Sequence, residues 1–133
     1  MLVTKILLGT NVGLYALQTL VGDSVTARFA MQGFAVALNG EYYRLITAAF
    51  LHASITHLLF NMWALWVVGG AVESRLGRWR YLTVYLVSAL AGSVLSYAVD
   101  PAIQVSVGAS GAVFGLFGAL AVLALRMRFS VGG

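Results

Sequence analysis

Apolar residues dominate four stretches of the chain, residues 6–21, 55–72, 81–99 and 110–125, and polar residues cluster between them. A helix needs about 20 mostly apolar residues to cross a bilayer core, with a range near 17–25. The first and fourth stretches are short on that measure, but their flanks extend each by a turn. The pattern therefore predicts four membrane-spanning helices. The first stretch has only Lys5 ahead of it and no small-x-small cleavage site before Asp23, which favours a retained helix over a signal peptide. Residues 23–44 form the one long connection. Phe29, Met31, Phe34, Val36 and Leu38 make it too apolar for a solvated loop, while Gly33, Asn39 and Gly40 interrupt it too often for a span. It is expected to lie in the outer interface of the membrane.

Composition agrees with lipid as the solvent. Hydrophobic residues make up 61 % of the 133 positions and charged residues 9 %, against about 25 % charge in an ordinary soluble domain. The length suits one domain. With no cysteine there is neither a disulfide framework nor a thiolate metal site. The basic residues sit between the apolar stretches as membrane anchors rather than in one dense stripe, so nucleic acid is not an expected partner. Lys5, the linker residues Glu73, Arg75, Arg78 and Arg80, and Arg126 and Arg128 together carry +5; Asp23, Arg28, Glu41, Arg44 and Asp100 carry −1. The positive-inside rule then places both termini in the cytoplasm, and a cell membrane is the expected location.

Two polar clusters interrupt the apolar background. Polar groups in a membrane are costly and mark functional or helix-bridging positions. In residues 51–62, LHASITHLLFNM, His57 and Asn61 lie four apart and so share one helix face. Such a pair near the outer surface can bind a developing negative charge, or can hydrogen-bond neighbouring helices. His52 falls just before this helix. A zinc site is a weaker reading, because histidines five apart share a face poorly and no third ligand stands near. The second cluster is VGASGAVFG at residues 107–115, where Ser110 opens an apolar helix among small residues. Unpaired N–H groups and the positive dipole end suit an oxyanion there. Taken alone, the run is read more simply with Ser110 as a helix cap and Gly111 and Gly115 serving helix packing. The run does not match the Gly-x-Ser-x-Gly of soluble hydrolases. A transporter or channel would place ionisable residues at mid-depth in several spans, and the first, third and fourth lack them.

Three motifs in order resemble the rhomboid family of intramembrane serine proteases: H-x-x-x-x-H-L-x-x-N-M at residues 52–62, E-x-R-L-G at 73–77 and G-A-S-G-A at 108–112. The resemblance covers about residues 41–128, within a partial rhomboid-like membrane domain taken as residues 1–133. It implies an all-α polytopic helical bundle, about four transmembrane helices of a normally six-helix core. It implies a serine endopeptidase that cleaves transmembrane proteins, with no cofactor and no metal. Ser110 would be the nucleophile, His57 and Asn61 would line the oxyanion hole with the Ser110 N–H, and His52 would support them. Glu73 and Arg75 would tie the cytoplasmic end of the second span to its neighbours. Gly111, Gly115 and Gly118 would face a later helix that brings the catalytic histidine, and without that helix their face would meet lipid and the bundle would lose stability. Where the family commonly shows Trp-Arg in the first loop, this chain has Tyr43-Arg44. Family members pair the serine with a histidine about two spans later, and no histidine follows Ser110 before Gly133. These 133 residues are therefore expected to be nearly inactive alone. The alternative is a non-catalytic rhomboid-like protein that binds transmembrane segments.

Overall fold

The computed structural model describes residues 1–100, 102 and 105–131; Gly133, the expected end of the domain, lies outside them. The chain begins with helix α1 (Leu2–Val21). Three short helices follow, α2 (Asp23–Phe29), α3 (Gly33–Asn39) and α4 (Arg44–Thr47), the last running into a 3₁₀ turn at Ala48–Phe50. Helix α5 (Ile55–Ala64) continues through a π-helical segment, Leu65–Gly69, into α6 (Gly70–Leu76). Helices α7 (Arg78–Val99) and α8 (Ser110–Val131) complete an all-α bundle.

Among the described residues, three helices have the length and composition of a membrane span: Ile55–Leu76, Arg78–Val99 and Ser110–Ser130. At about 1.5 Å per residue a 22-residue helix reaches about 33 Å, enough for a hydrocarbon core of about 30 Å. The span expected over residues 6–21 corresponds to α1, which is not among the three. It has 20 residues, but polar side chains dilute its apolar surface. Thr4, Asn11 and Gln18 are buried on one face, where they point into the bundle and away from lipid. Large apolar side chains such as Leu20, Phe60, Trp63, Trp79 and Phe129 are exposed, as a bilayer-facing surface requires. This is an integral membrane protein.

The main core joins Leu7 of α1 with Leu58, Met62, Leu65, Val68 and Val72 of the long helix, Tyr81, Tyr85 and Ala89 of α7, and Ala112, Val113 and Leu116 of α8. Glu73 seals one end of it. Its carboxylate accepts from the N–H groups of Val3 and Thr4, both at 2.9 Å, and from Thr4 Oγ1 at 2.7 Å. Those amides belong to the first turn of α1, where N–H groups have no partner in their own helix and the dipole end is positive. Glu73 thus links α6 to α1, as the motif implied. Arg75 makes no such link; it is exposed and donates to the Ala71 carbonyl of its own helix at 2.8 Å. Gly77, with φ 79°, makes the turn from α6 into α7.

The contact between α7 and α8 departs from expectation. A Cβ on Gly111 would lie 3.3 Å from Gly92 Cα, and one on Gly115 would lie 1.9 Å from Ser88 Oγ and 2.3 Å from Ser88 Cβ. Gly111 and Gly115 therefore face α7, not a later helix. The reason is a second small-residue pair, Ser88 and Gly92, four apart on α7 and matched antiparallel to Gly111 and Gly115 on α8; small residues on both helices let the backbones approach. Only Gly118 of the three points to open space. The small-residue face is covered within this chain, which removes the reason to expect instability from it.

Residues 23–50 pack as a layer beside the bundle, with a small core of Met31, Val36 and Ala48 against Leu45 and Tyr97. Arg44 holds this layer together from inside. Buried, it donates to the carbonyls of Ala27 and Ala30 at 2.9 and 2.8 Å and to the Glu41 carboxylate. The bond from Arg44 holds the Glu41 carboxyl below the usual carboxylate range.

Candidate active site

Ser110 is the first residue of α8, and the first helical bond runs from the Val113 N–H to the Ala109 carbonyl, 2.9 Å. Ser110 is thus inside the helix rather than at the capping position. Its Oγ makes no hydrogen bond among the described residues, and the side chain is exposed. The amides of the first turn are left to face whatever occupies the site. Two cross-links set the segment before it. Met31 and Ser106 exchange backbone hydrogen bonds at 2.9 Å each way, and the Gly108 N–H donates to the Ala48 carbonyl at 2.9 Å. The layer of residues 23–50, although remote in sequence, therefore fixes the approach to Ser110.

His57 and Asn61 come from α5. Ser54 caps that helix, its Oγ accepting from the His57 N–H at 3.2 Å. His57 and Asn61 are about one turn apart on that helix: Asn61 Nδ2 donates to the His57 carbonyl at 2.9 Å, and the amide keeps a second N–H. A cleft of about 330 Å³ between α5 and α8 is lined by His57, Asn61, Ser110, Phe60, Trp63 and Phe117, among others. The three residues singled out by two separate motifs thus share one cavity. Ser110 also borders a smaller cavity, about 170 Å³, with Ser93, Ser96, Ser106 and Gly108.

His52 lies outside this cleft but against it. Its ring is buried and meets the His57 ring edge-on, with centroids 5.2 Å apart. Burial, and secondarily the His57 ring, pull the His52 imidazole down to about 4, so it is neutral near pH 7. Among the described residues neither of its ring nitrogens has a hydrogen-bond partner. The Ala53 N–H reaches His57 Nδ1 at 3.5 Å, a long bond. With Nδ1 an acceptor, a neutral His57 carries its proton on Nε2. That side of the ring meets Gly108: a Cβ there would lie 2.8 Å from Nε2. Among the described residues no three His, Asp or Glu side chains gather as a metal site would need.

Two roles escaped the sequence reading. Gly108 opens the G-A-S-G-A motif, but nothing in the motif signals its φ of 124° or its contact with the His57 ring. Gln18 did have a signal. Thr4, Asn11 and Gln18 recur every seven residues on one face of α1, and the Gln18 amide bonds to both the N–H and the carbonyl of His52, each at 3.0 Å.

Fold and site together define a polytopic membrane protein with a serine at a helix start, facing a His–Asn pair across a shared cleft. The Rhomboid domain model matches residues 39–133. The chain is 45 % identical over 94 residues to YdcA of Bacillus subtilis, covering 71 % of this chain and 47 % of that protein. It is 44 % identical over 100 residues to the rhomboid protease GluP of Bacillus subtilis, covering 75 % of this chain and 19 % of that protein. It is 36 % identical over 117 residues to the rhomboid protease GlpG of Salmonella choleraesuis, covering 87 % and 41 %. The chain belongs to the rhomboid family. It spans less than half the length of each of these relatives.

Proposed function

We propose that this chain carries the nucleophile and oxyanion side of an intramembrane serine endopeptidase acting on transmembrane proteins. The observation that carries the reading is the shared cleft of Ser110, His57 and Asn61. Ser110 Oγ attacks a substrate carbonyl carbon and gives up its proton to a base. His57 Nε2–H, the second Asn61 N–H and the Ser110 backbone N–H hold the resulting oxyanion. Collapse breaks the C–N bond, the amine leaves with the proton, and water later releases the acyl group.

The base comes from outside residues 1–133. His57 engages Nδ1 with Ala53, His52 is buried away from the cleft, and neither bonds to Ser110. A serine without a base is a weak nucleophile, so these residues alone are nearly inactive. Both termini of the chain face the cytoplasm of a cell membrane, and the 23–50 layer lies at the outer surface, where it gives Ser110 access to unwound substrate.

Cleavage of a membrane-tethered reporter tests this. The comparison needs the 133-residue chain, its Ser110→Ala variant, and both joined to the two C-terminal helices of a rhomboid relative. Cleavage only by the joined, serine-intact protein is expected. Ser110-dependent cleavage by the 133 residues would return the base to His57. No cleavage by any form would favour a non-catalytic binder of transmembrane segments.

A further inference from the structure

The segment His52–Ser54 lies between the 3₁₀ turn and α5, outside any helix. Backbone polar groups in such a segment, beside a membrane, must find partners elsewhere. For His52 both come from one side chain. Gln18 Oε1 accepts from the His52 N–H and Gln18 Nε2 donates to the His52 carbonyl, each at 3.0 Å; Nε2 also donates to Thr26 Oγ1 at 3.0 Å. A primary amide thus pairs with His52 at two points, as a neighbouring strand would. Gln18 is itself buried, so water does not compete for these bonds. The two ring nitrogens of His52 are buried without partners among the described residues. The polar restraint on this residue therefore acts through its backbone, and Gln18 supplies it.

We infer that Gln18 is a positioning residue for the oxyanion side of the cleft: by clamping the His52 backbone it fixes the place and the tautomer of His57. Two contacts pass the restraint on. The buried His52 ring packs edge-on against the His57 ring. The next residue, Ala53, presents its N–H to His57 Nδ1. If the clamp is released, residues 52–53 shift, the long Ala53 bond is the first to break, and Nδ1 becomes free to take the proton. Nε2 would then lose the N–H that faces Gly108 and the cleft. Helix α1 lies wholly outside the matched residues 39–133, so the matched region borrows this restraint from a helix it does not include. Asn11, one heptad earlier on the same face, turns its amide back to its own helix at the Leu7 carbonyl and does not share the role.

The inference rests on the reading of His57 as an oxyanion donor, but its test is independent of proteolysis. The chain holds only two histidines, so ¹⁵N-imidazole labelling in bicelles gives two ring systems. The unaltered chain is expected to show His57 with bare Nδ1 and protonated Nε2. Gln18→Met keeps the packing volume and removes the amide; a mixed His57 tautomer pattern is expected, with the His52 amide exchanging about tenfold faster, the effect of one lost hydrogen bond. Thr26→Val removes only the third bond and leaves both signals unchanged. A single Nε2–H tautomer in Gln18→Met, beside a faster His52 amide, overturns the inference. Should that variant not fold, Gln18→Asn, whose amide stops one methylene short, is read by the same two signals. A tautomer shift without any Ser110-dependent cleavage in the joined protein would sink the protease reading and leave the clamp standing; the reverse pair of results would do the opposite.

Discussion

Gly108 lies directly against the ring of His57. A Cβ at residue 108 would stand 2.6 Å from Cε1 and 2.8 Å from Nε2 of that ring, closer than carbon atoms approach. The backbone there has φ 124°, a region that side chains other than glycine rarely adopt. Both effects oppose any substitution. Gly108→Ala is expected to push His57 out of the cleft and to cost about 1–3 kcal/mol of stability from backbone strain. Cleavage by the joined protein should fall at least about 100-fold, the effect of losing one oxyanion donor. Near-normal cleavage by Gly108→Ala would show that His57 is not held where the reaction needs it.

The α7–α8 contact gives a paired prediction. A side chain at Gly115 collides with the Cβ of Ser88, which cannot rotate away, whereas Gly118 has open space. Gly115→Ala should therefore lower the thermal midpoint, by an overpacking cost of about 1–3 kcal/mol. Gly118→Ala should leave it unchanged. The double variant Gly115→Ala/Ser88→Gly restores the room and should recover most of the loss. A larger drop from Gly118→Ala than from Gly115→Ala would reverse the assignment of the small-residue face.

The three long apolar helices and the residues that share the cleft were legible for a common reason. Long apolar runs have few alternatives in a bilayer, and a His-x-x-x-Asn pair or a serine among glycines stands out against them. What was not legible depends on which helix meets which. Gly111 and Gly115 announce close packing, but only the match with Ser88 and Gly92 shows that the partner is α7. Gln18 is uncharged and is one of several polar residues on α1, so its link to His52, 34 residues away, becomes visible only once α1 is seated. The backbone ties of Met31 to Ser106 and of Ala48 to Gly108 leave no trace in side-chain identity at all.

Glu73 gives a stability prediction that does not depend on activity. Its carboxylate is the acceptor for three donors of α1, two amides and the Thr4 hydroxyl. A buried donor left without an acceptor costs about 1–3 kcal/mol. Glu73→Ala should therefore cost at least about 3 kcal/mol in reversible unfolding, and α1 should become the first helix open to protease. Thr4→Val removes only the hydroxyl bond and should cost about 1 kcal/mol. Equal losses for the two variants would mean that Glu73 does not anchor α1 through its amides.

His52 makes stability depend on pH with a definite sign. In the unfolded chain its imidazole titrates near 6.5, and in the fold burial pulls it down to about 4. Between these values the unfolded state binds a proton that the folded state refuses. Its contribution is therefore fully present above about pH 6.5 and is lost as pH falls toward 4. Glu41, also lowered, adds a loss of the same sign at more acid pH, so the His52 part must be isolated by subtraction. Thermal midpoints taken at intervals from pH 7 to pH 4 should fall for the unaltered chain, and fall less for His52→Leu, which fills the same buried site without a titrating group. Parallel curves for the two proteins would mean that the His52 ring is hydrated or protonated in the fold. In that case its edge-on contact with His57 would place a cation beside the cleft rather than a neutral support.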